Sequence, residues 1–450
     1  MGSADHYWDV VSVLGRLSPR DEDLQRAAAE MERLDPRALY TEIVRSRVYT
    51  IALRNLGGLA GRDDVAVVHA ALKDLDGKET ARRAQALPET RAVLRRVRDL
   101  DARVIKGLSL REHYADPELR HIGDLDLHVP DWESARQITR VLRERGWRWD
   151  THEFPWIKWT DGGSLYGQLT MVLPDNEDPH SRVDLHIGPF SVGHSTLMPL
   201  VGWRPRDVLG VPSVVPCAES EIALIGAHAV NDGLLSMKDV NDAHVLLSRH
   251  AGVDWGAVEE LCRGAGALKA MGEILSAAAR VYPGTTVPAW AGDARRSGDT
   301  YLSTGEEPPG VRADRVRRLA LDDERARGRD ASLAERVAEE AYAYFTADLT
   351  PRLDAPVPAA PDGPHRRRDL CWRLLPKETW QGLADRAAPH AGAPGPTSDQ
   401  ELASGMRLVR SGKGTVVALD GEVFVPTVWG AVEPESTVLA RALTGERIRR

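Results

Sequence analysis

Three cysteines in 450 residues, Cys217, Cys262 and Cys371, are too few and too far apart for a disulfide framework, and none stands in a Cys-x-x-Cys pair for zinc. They read as reduced, mostly buried thiols. Uninterrupted apolar runs of bilayer length are missing too, which excludes a membrane-spanning helix. The opening residues Met1-Gly2-Ser3-Ala4-Asp5-His6-Tyr7-Trp8 lack a basic region followed by an apolar stretch, so no secretion signal is expected and a cytoplasmic protein is. Positive charge is in deficit. The net charge of -8 argues against an extended nucleic-acid surface, because such binding draws its affinity from neutralised phosphates. The basic runs Arg366-Arg367-Arg368 and Arg447 to Arg450 read as solvated charge in a loop and at the terminus. Internal repeats are absent, as are the histidine-aspartate clusters of common metal phosphoesterases.

What remains is an ordinary globular composition, 42% hydrophobic and 28% charged, long enough for two to four domains. Residues 1–100 read as a helical region. Ser18-Pro19 and Asp35-Pro36 each place a capping side chain before a proline, and Tyr40, Val44, Val48 and Ile51 then keep helical spacing up to Gly57-Gly58. A further helix is expected from Pro88, with Val93, Val97 and Leu100 on one face. Residues 101–215 change to short strands around one helix capped by Asp131 and stopped at Gly146. Strands are expected over 156–160, 169–173 and 182–188, the last two joined through the turn-rich stretch 174–179. Residues 216–283 read as helical again, over 219–231, 239–250 and 255–282, with Ser236 to Asp239 in the form of a capping box. Residues 284–450 carry two linker-like stretches rich in Pro, Ala and Gly, 351–364 and 387–396. There too, Asp420-Gly421 joins Val416–Leu419 to Glu422–Val425 as a two-residue hairpin.

The chemistry gathers in four short pieces: Val104-Ile105-Lys106-Gly107, Arg120, Gly123 to Val129, and Val183 to Ile187. Strand side chains alternate, so Asp124, Asp126 and His128 share one face while Leu125, Leu127 and Val129 share the other. Asp184 and His186 alternate in the same way with Val183, Leu185 and Ile187. If the two strands are neighbours, three carboxylates and two imidazoles crowd one polar face. Such carboxylates repel unless a cation neutralises them, and Mg²⁺ favours one or two carboxylates completed by water and phosphate oxygens. Two such ions, Mg²⁺ or alternatively Mn²⁺, would give the chemistry its form: one lowers the pKa of an acceptor hydroxyl, and the other spans the triphosphate and stabilises the departing pyrophosphate. Lys106 would reach phosphate as a point charge, and Gly107 would turn the backbone under the nucleotide.

At Ile105-Lys106-Gly107, Tyr114, Arg120, Gly123 to Leu127, Val183 to His186, His228 and Lys238 to Asp242, the chain resembles the nucleotidyltransferase superfamily of DNA polymerase beta type. In particular it resembles the bacterial branch called the uncharacterised nucleotidyltransferase family, over roughly residues 35–282. The resemblance implies an α+β fold: a nucleotidyltransferase-type mixed β-sheet flanked by helices, with helical N-terminal and central domains and a small mixed C-terminal region. It implies Asp124, Asp126 and Asp184 as catalytic metal ligands and Lys106-Gly107 as the nucleotide-binding turn. The superfamily usually has Gly-Ser or Gly-Gly at that turn. Here Leu108 follows Gly107, Ser109 is the nearest hydroxyl, and the interval to Asp124 is longer.

The nucleotide-contacting set expected is therefore Lys106, Gly107, Ser109, Arg120, His186 and Lys238, with Arg120 either on phosphate or orienting Asp124. His186 either supports the site or merely hydrogen-bonds beside it, whereas His128 and His228 read as structural. Trp147, Trp149, Trp156 and Trp159 fit core packing better than base stacking. Ser411 to Thr415 lacks the first glycine of a phosphate-binding loop and enters a strand, so it is rejected as an ATP site. The expected activity is transfer of a nucleoside monophosphate from a triphosphate, ATP first among candidates, to a small-molecule or biosynthetic-peptide acceptor with release of pyrophosphate. The alternatives are a protein or tRNA acceptor, or a noncatalytic nucleotide- or partner-binding protein of the same fold. The C-terminal hairpin is expected to offer a strand edge for a peptide.

Overall fold

The structure, a computed structural model, describes residues 3–59, 62–160, 163–174, 181–192, 196–293, 300–304, 309–326, 328, 331, 334–335, 338–339, 350–353, 371–387, 395–428 and 430–445. The chain divides into two compact units. The first comprises Met1–Arg91, Val104–Gly123 and Ser191–Tyr342, and the second Ala92–Arg103, Asp124–Phe190 and Ala343–Arg450.

The N-terminal helices are α1 (Ser3–Leu14), α2 (Asp21–Met31), α3 (Pro36–Arg45), α4 (Tyr49–Leu56) and α5 (Asp63–Val97). Asp35 caps α3 as expected, accepting from the amides of Arg37 and Ala38. The Ser18-Pro19 start is displaced. Helix α2 opens at Asp21 behind Arg20, which makes no side-chain cap, and the carboxylates of Asp21, Glu22 and Asp23 meet the positive helix end instead. The stripe expected from Tyr40 to Ile51 is also interrupted, because Arg47 takes φ +54 and separates α3 from α4. Within α3 the buried row is Leu39 and Ile43, one residue off the expected one. Pro88 starts nothing; it lies inside α5, where its missing N–H removes one rung of the helical ladder.

After a two-residue strand, β1 (Arg103–Val104), and the short helix α6 (Lys106–Arg111), the chain forms β2 (Leu125–Val129) and α7 (Trp132–Glu144). Asp131 caps α7 through the amide of Ser134, and Gly146 follows it at φ +88. Then come β3 (Arg148–Trp149), β4 (Trp156–Trp159), β5 (Leu165–Leu173), β6 (Ser181–Ile187), β7 (Phe190–Val192), β8 (Thr196–Met198), β9 (Trp203–Val208) and β10 (Val211–Pro216). Most of the expected turn between β5 and β6 lies outside the described residues. Four helices follow: α8 (Ala218–Asp232), α9 (Met237–Arg249), α10 (Trp255–Gly264) and α11 (Leu268–Val281). The single segment expected over 255–282 is thus two, with the chain turning at 265–267.

The second unit is built on one mixed sheet. Its strands run β2-β6-β5-β4-β11-β15-β14-β13-β12, with β3 beside β5, where β11 is Trp372–Leu375, β12 Ser398–Ala403, β13 Met406–Ser411, β14 Gly414–Leu419 and β15 Glu422–Thr427. Only β2 and β6 in this order are parallel. Trp372 pairs with Ile157 and Arg373 with Trp156, so the C-terminal strands extend the sheet that carries the carboxylates. The expected hairpin forms, with Leu419 opposite Glu422 and both turn residues at positive φ, Asp420 at +49 and Gly421 at +85. It does not offer a strand edge, because β14 and β15 are flanked by β13 and β11; the last strand of the order is β12. Ser411 to Thr415 forms the tight turn from β13 to β14.

Behind these strands Trp380, Leu383, Leu439 and Ala440 pack with Leu375, Val416 and Val425 into one core. The tryptophans take the packing role. Trp149 stands edge-on to Phe424 and Trp159 edge-on to Trp372, with ring centroids 5.3 and 5.1 Å apart. Among the described residues no helix is long and apolar enough to cross a membrane. Of the three cysteines only Cys262 is buried, which pushes its thiol up to about 12; Cys217 and Cys371 are half-buried.

Candidate active site

Strand β2 is buried along its whole length, as a strand with cover on both faces must be. Leu125, Leu127 and Val129 fill one face and put Asp126 and His128 on the other. Parallel pairing with β6 sets Asp126 opposite Asp184 and His128 opposite His186. Asp126, Asp184 and His186 are only 4%, 5% and 7% exposed. His186 Nε2 lies 2.9 Å from Asp126 Oδ1 and donates to it, since a carboxylate only accepts. One donor atom from each of the three residues falls within 4.8 Å of the other two. At that separation two carboxylate charges repel by about 3 kcal/mol for an effective dielectric of about 20. A divalent cation converts the repulsion into attraction, and two carboxylates with an imidazole are a fitting donor set for one.

Asp124 sits immediately before β2, half-buried, and is not one of this group of three. His128 turns away from the carboxylates: its Nε2 donates to the carbonyl of Gly188 at 2.7 Å, and burial lowers its pKa to about 4. The antiparallel neighbour β5 adds Thr170 opposite Asp184 and Gln168 opposite His186. These two escaped the sequence reading, which began the strand at Leu169; their signal was two polar side chains two residues apart in an apolar run.

The remaining expected contacts lie in the first unit. Lys106 opens α6 with φ +54, so the left-handed residue of the turn is the lysine and not Gly107. A side chain at Gly107 would meet only Ile122, at 3.9 Å. Ser109 is fully buried, and its hydroxyl donates to the carbonyl of Lys106 at 3.1 Å. Arg120 grips Asp242 with both ends of its guanidinium, Nε to Oδ1 at 2.8 Å and Nη2 to Oδ2 at 2.9 Å. Tyr114 adds a third bond to Asp242 at 2.7 Å. Burial and the Asp242 charge hold the Tyr114 hydroxyl well above its ordinary pKa.

Lys238, near the start of α9, does not extend into solvent. It is buried and paired with Asp239 at 2.9 Å. Ser236 caps the helix through the amide of Asp239 and donates back to its carboxylate at 2.5 Å. Burial disfavours the Asp239 charge, but Lys238 and these bonds hold its pKa below the usual range. His228, on α8, is pushed down to about 4 by burial, with Asp232 3.6 Å away opposing the shift.

A family model described as uncharacterised nucleotidyltransferase matches residues 32–283, more than half of the chain. No curated protein matches it.

Proposed function

Because the chain belongs to the uncharacterised nucleotidyltransferase family, we propose that it is a metal-dependent enzyme transferring a nucleoside monophosphate from a nucleoside triphosphate, ATP first, to a small-molecule or biosynthetic-peptide acceptor. The observation that carries the metal dependence is the register of β2 and β6, which buries Asp126 and Asp184 face to face beside His186. A divalent ion held there would neutralise the triphosphate and acidify the acceptor hydroxyl. Asp126 and Asp184 would hold that ion, and Asp124 would add its carboxylate to the nucleotide-bound centre. The acceptor oxygen forms a bond to the α-phosphorus, the bond from that phosphorus to the bridging oxygen breaks, and pyrophosphate departs. Asp184 receives the acceptor proton.

The match of Lys106-Gly107 and Lys238 to the family's pattern supports assigning them to the nucleotide, each lysine as a positive charge for phosphate. Ser109 and Arg120, engaged with Lys106 and Asp242, keep the supporting structure in place. The acidic net charge favours a small or peptidic acceptor over an extended nucleic acid.

The test is to incubate the protein with each triphosphate, Mg²⁺ or Mn²⁺ and cell extract, following pyrophosphate release and nucleotide mass added to a product. Asp184→Asn is expected to lose about a hundredfold to a thousandfold in rate, the scale of removing a group that stabilises developing charge. Transfer at the normal rate by that variant would sink the assignment. Triphosphate binding without pyrophosphate release for any acceptor favours a noncatalytic binding protein.

A further inference from the structure

Resting on that reading, we infer that His186 is itself a metal ligand, making the centre a mixed carboxylate and imidazole site that separates a first-row transition ion such as Mn²⁺ from Mg²⁺. Ligands of one octahedral ion stand about 2.1 Å from it and hence about 3–4 Å from one another. The donor atoms of Asp126, Asp184 and His186, all within 4.8 Å, need little movement to reach that spacing. Asp124 lies outside this compact set. The imidazole completes it.

The histidine is placed for the purpose. Its ring is buried against Phe190, centroids 5.3 Å apart, and Nε2 is aimed at Asp126. In the ion-free protein Nε2 carries the hydrogen. A ligating imidazole offers the Nε2 lone pair to the ion and carries its one N–H on Nδ1. His128, its partner in register, has Nε2 on the Gly188 carbonyl, so one imidazole of the pair faces the carboxylates and the other does not. Mg²⁺ keeps to oxygen ligands and water, whereas imidazole suits transition ions, so a nitrogen in the set favours the latter.

Pulsed electron paramagnetic resonance on the full chain loaded with Mn²⁺ reads the contact directly. We expect the coupling of a directly bound nitrogen, shifted when every histidine carries ¹⁵N, lost in His186→Gln and kept in His128→Gln. The isotope measurement uses the unaltered protein and does not depend on a variant folding. Equilibrium titration of His186→Gln is expected to show Mn²⁺ weakened at least about tenfold and Mg²⁺ by less than about threefold. Bound Mn²⁺ without nitrogen coupling, or coupling that survives His186→Gln, overturns this inference. His186 then only orients Asp126, and the proposed transfer stands. Failure of Mn²⁺ to bind at all, with or without ATP, overturns both.

Discussion

Asp242 accepts three hydrogen bonds, two from Arg120 and one from Tyr114, in a place with almost no water. Asp242→Ala leaves a buried guanidinium without its counter-charge and is expected to cost about 3–5 kcal/mol, read as a lowered urea midpoint. An unchanged midpoint would show the pair to be dispensable. Buried histidines give the stability a pH dependence. His121 and His228 are pushed from 6.5 down to about 3 and about 4, in both cases chiefly by burial. Below pH 6.5 the unfolded chain takes up protons that the folded protein refuses. Stability therefore falls with pH through the window from 6.5 to about 4, by up to about 1.4 kcal/mol per pH unit for each imidazole. Urea midpoints at pH 7, 5.5 and 4.5 check the slope, which His228→Gln is expected to flatten. The shared face of Asp126 and Asp184 was legible because alternation in β2 and β6 assigns it; the place of Asp124, which precedes β2 and stands outside the compact group, was not. What holds Arg120 was not, since Asp242 stands 122 residues away and nothing local announces the pairing.

Among the described glycines, Gly167 of β5 has the tightest surroundings. A Cβ at Gly167 would stand 2.3 Å from the Trp156 carbonyl oxygen and 3.2 Å from the Ile157 Cα, both backbone atoms of β4 that cannot step aside. Gly167→Ala is expected to cost about 1–3 kcal/mol by forcing the strands apart, measured by denaturant unfolding with a fall in metal affinity alongside. Local signals were read well where side chain and backbone agree, as at Asp35, Asp131, Ser236 and the Asp420-Gly421 turn. They were read less well where two answers share one period. Tyr40 and Val44 keep the same four-residue spacing as Leu39 and Ile43, and only tertiary packing chooses between adjacent rows. Pro88 misled for a related reason: a proline suits a helix start, and a long helix with other contacts tolerates one inside.

At the scale of the whole chain, the C-terminal third is structural to the carboxylate sheet. Removing residues 398–450 takes away β12 to β15 and the core around Trp380. We expect that truncation to lose the cooperative unfolding of the second unit; a thermal transition identical to that of the full chain would contradict it. The sequence showed the hairpin but not its neighbours, because strand order is a long-range property that periodicity does not encode.

The pairing of Trp372 with Ile157 also fixes an order of events during synthesis. A ribosome that has made the carboxylate strands has not yet made the strands that finish their sheet, and Ile157 waits through more than two hundred further residues for its neighbour. Partial chains therefore carry the charged strands without their completed support, and the later-made strands decide when the sheet can close.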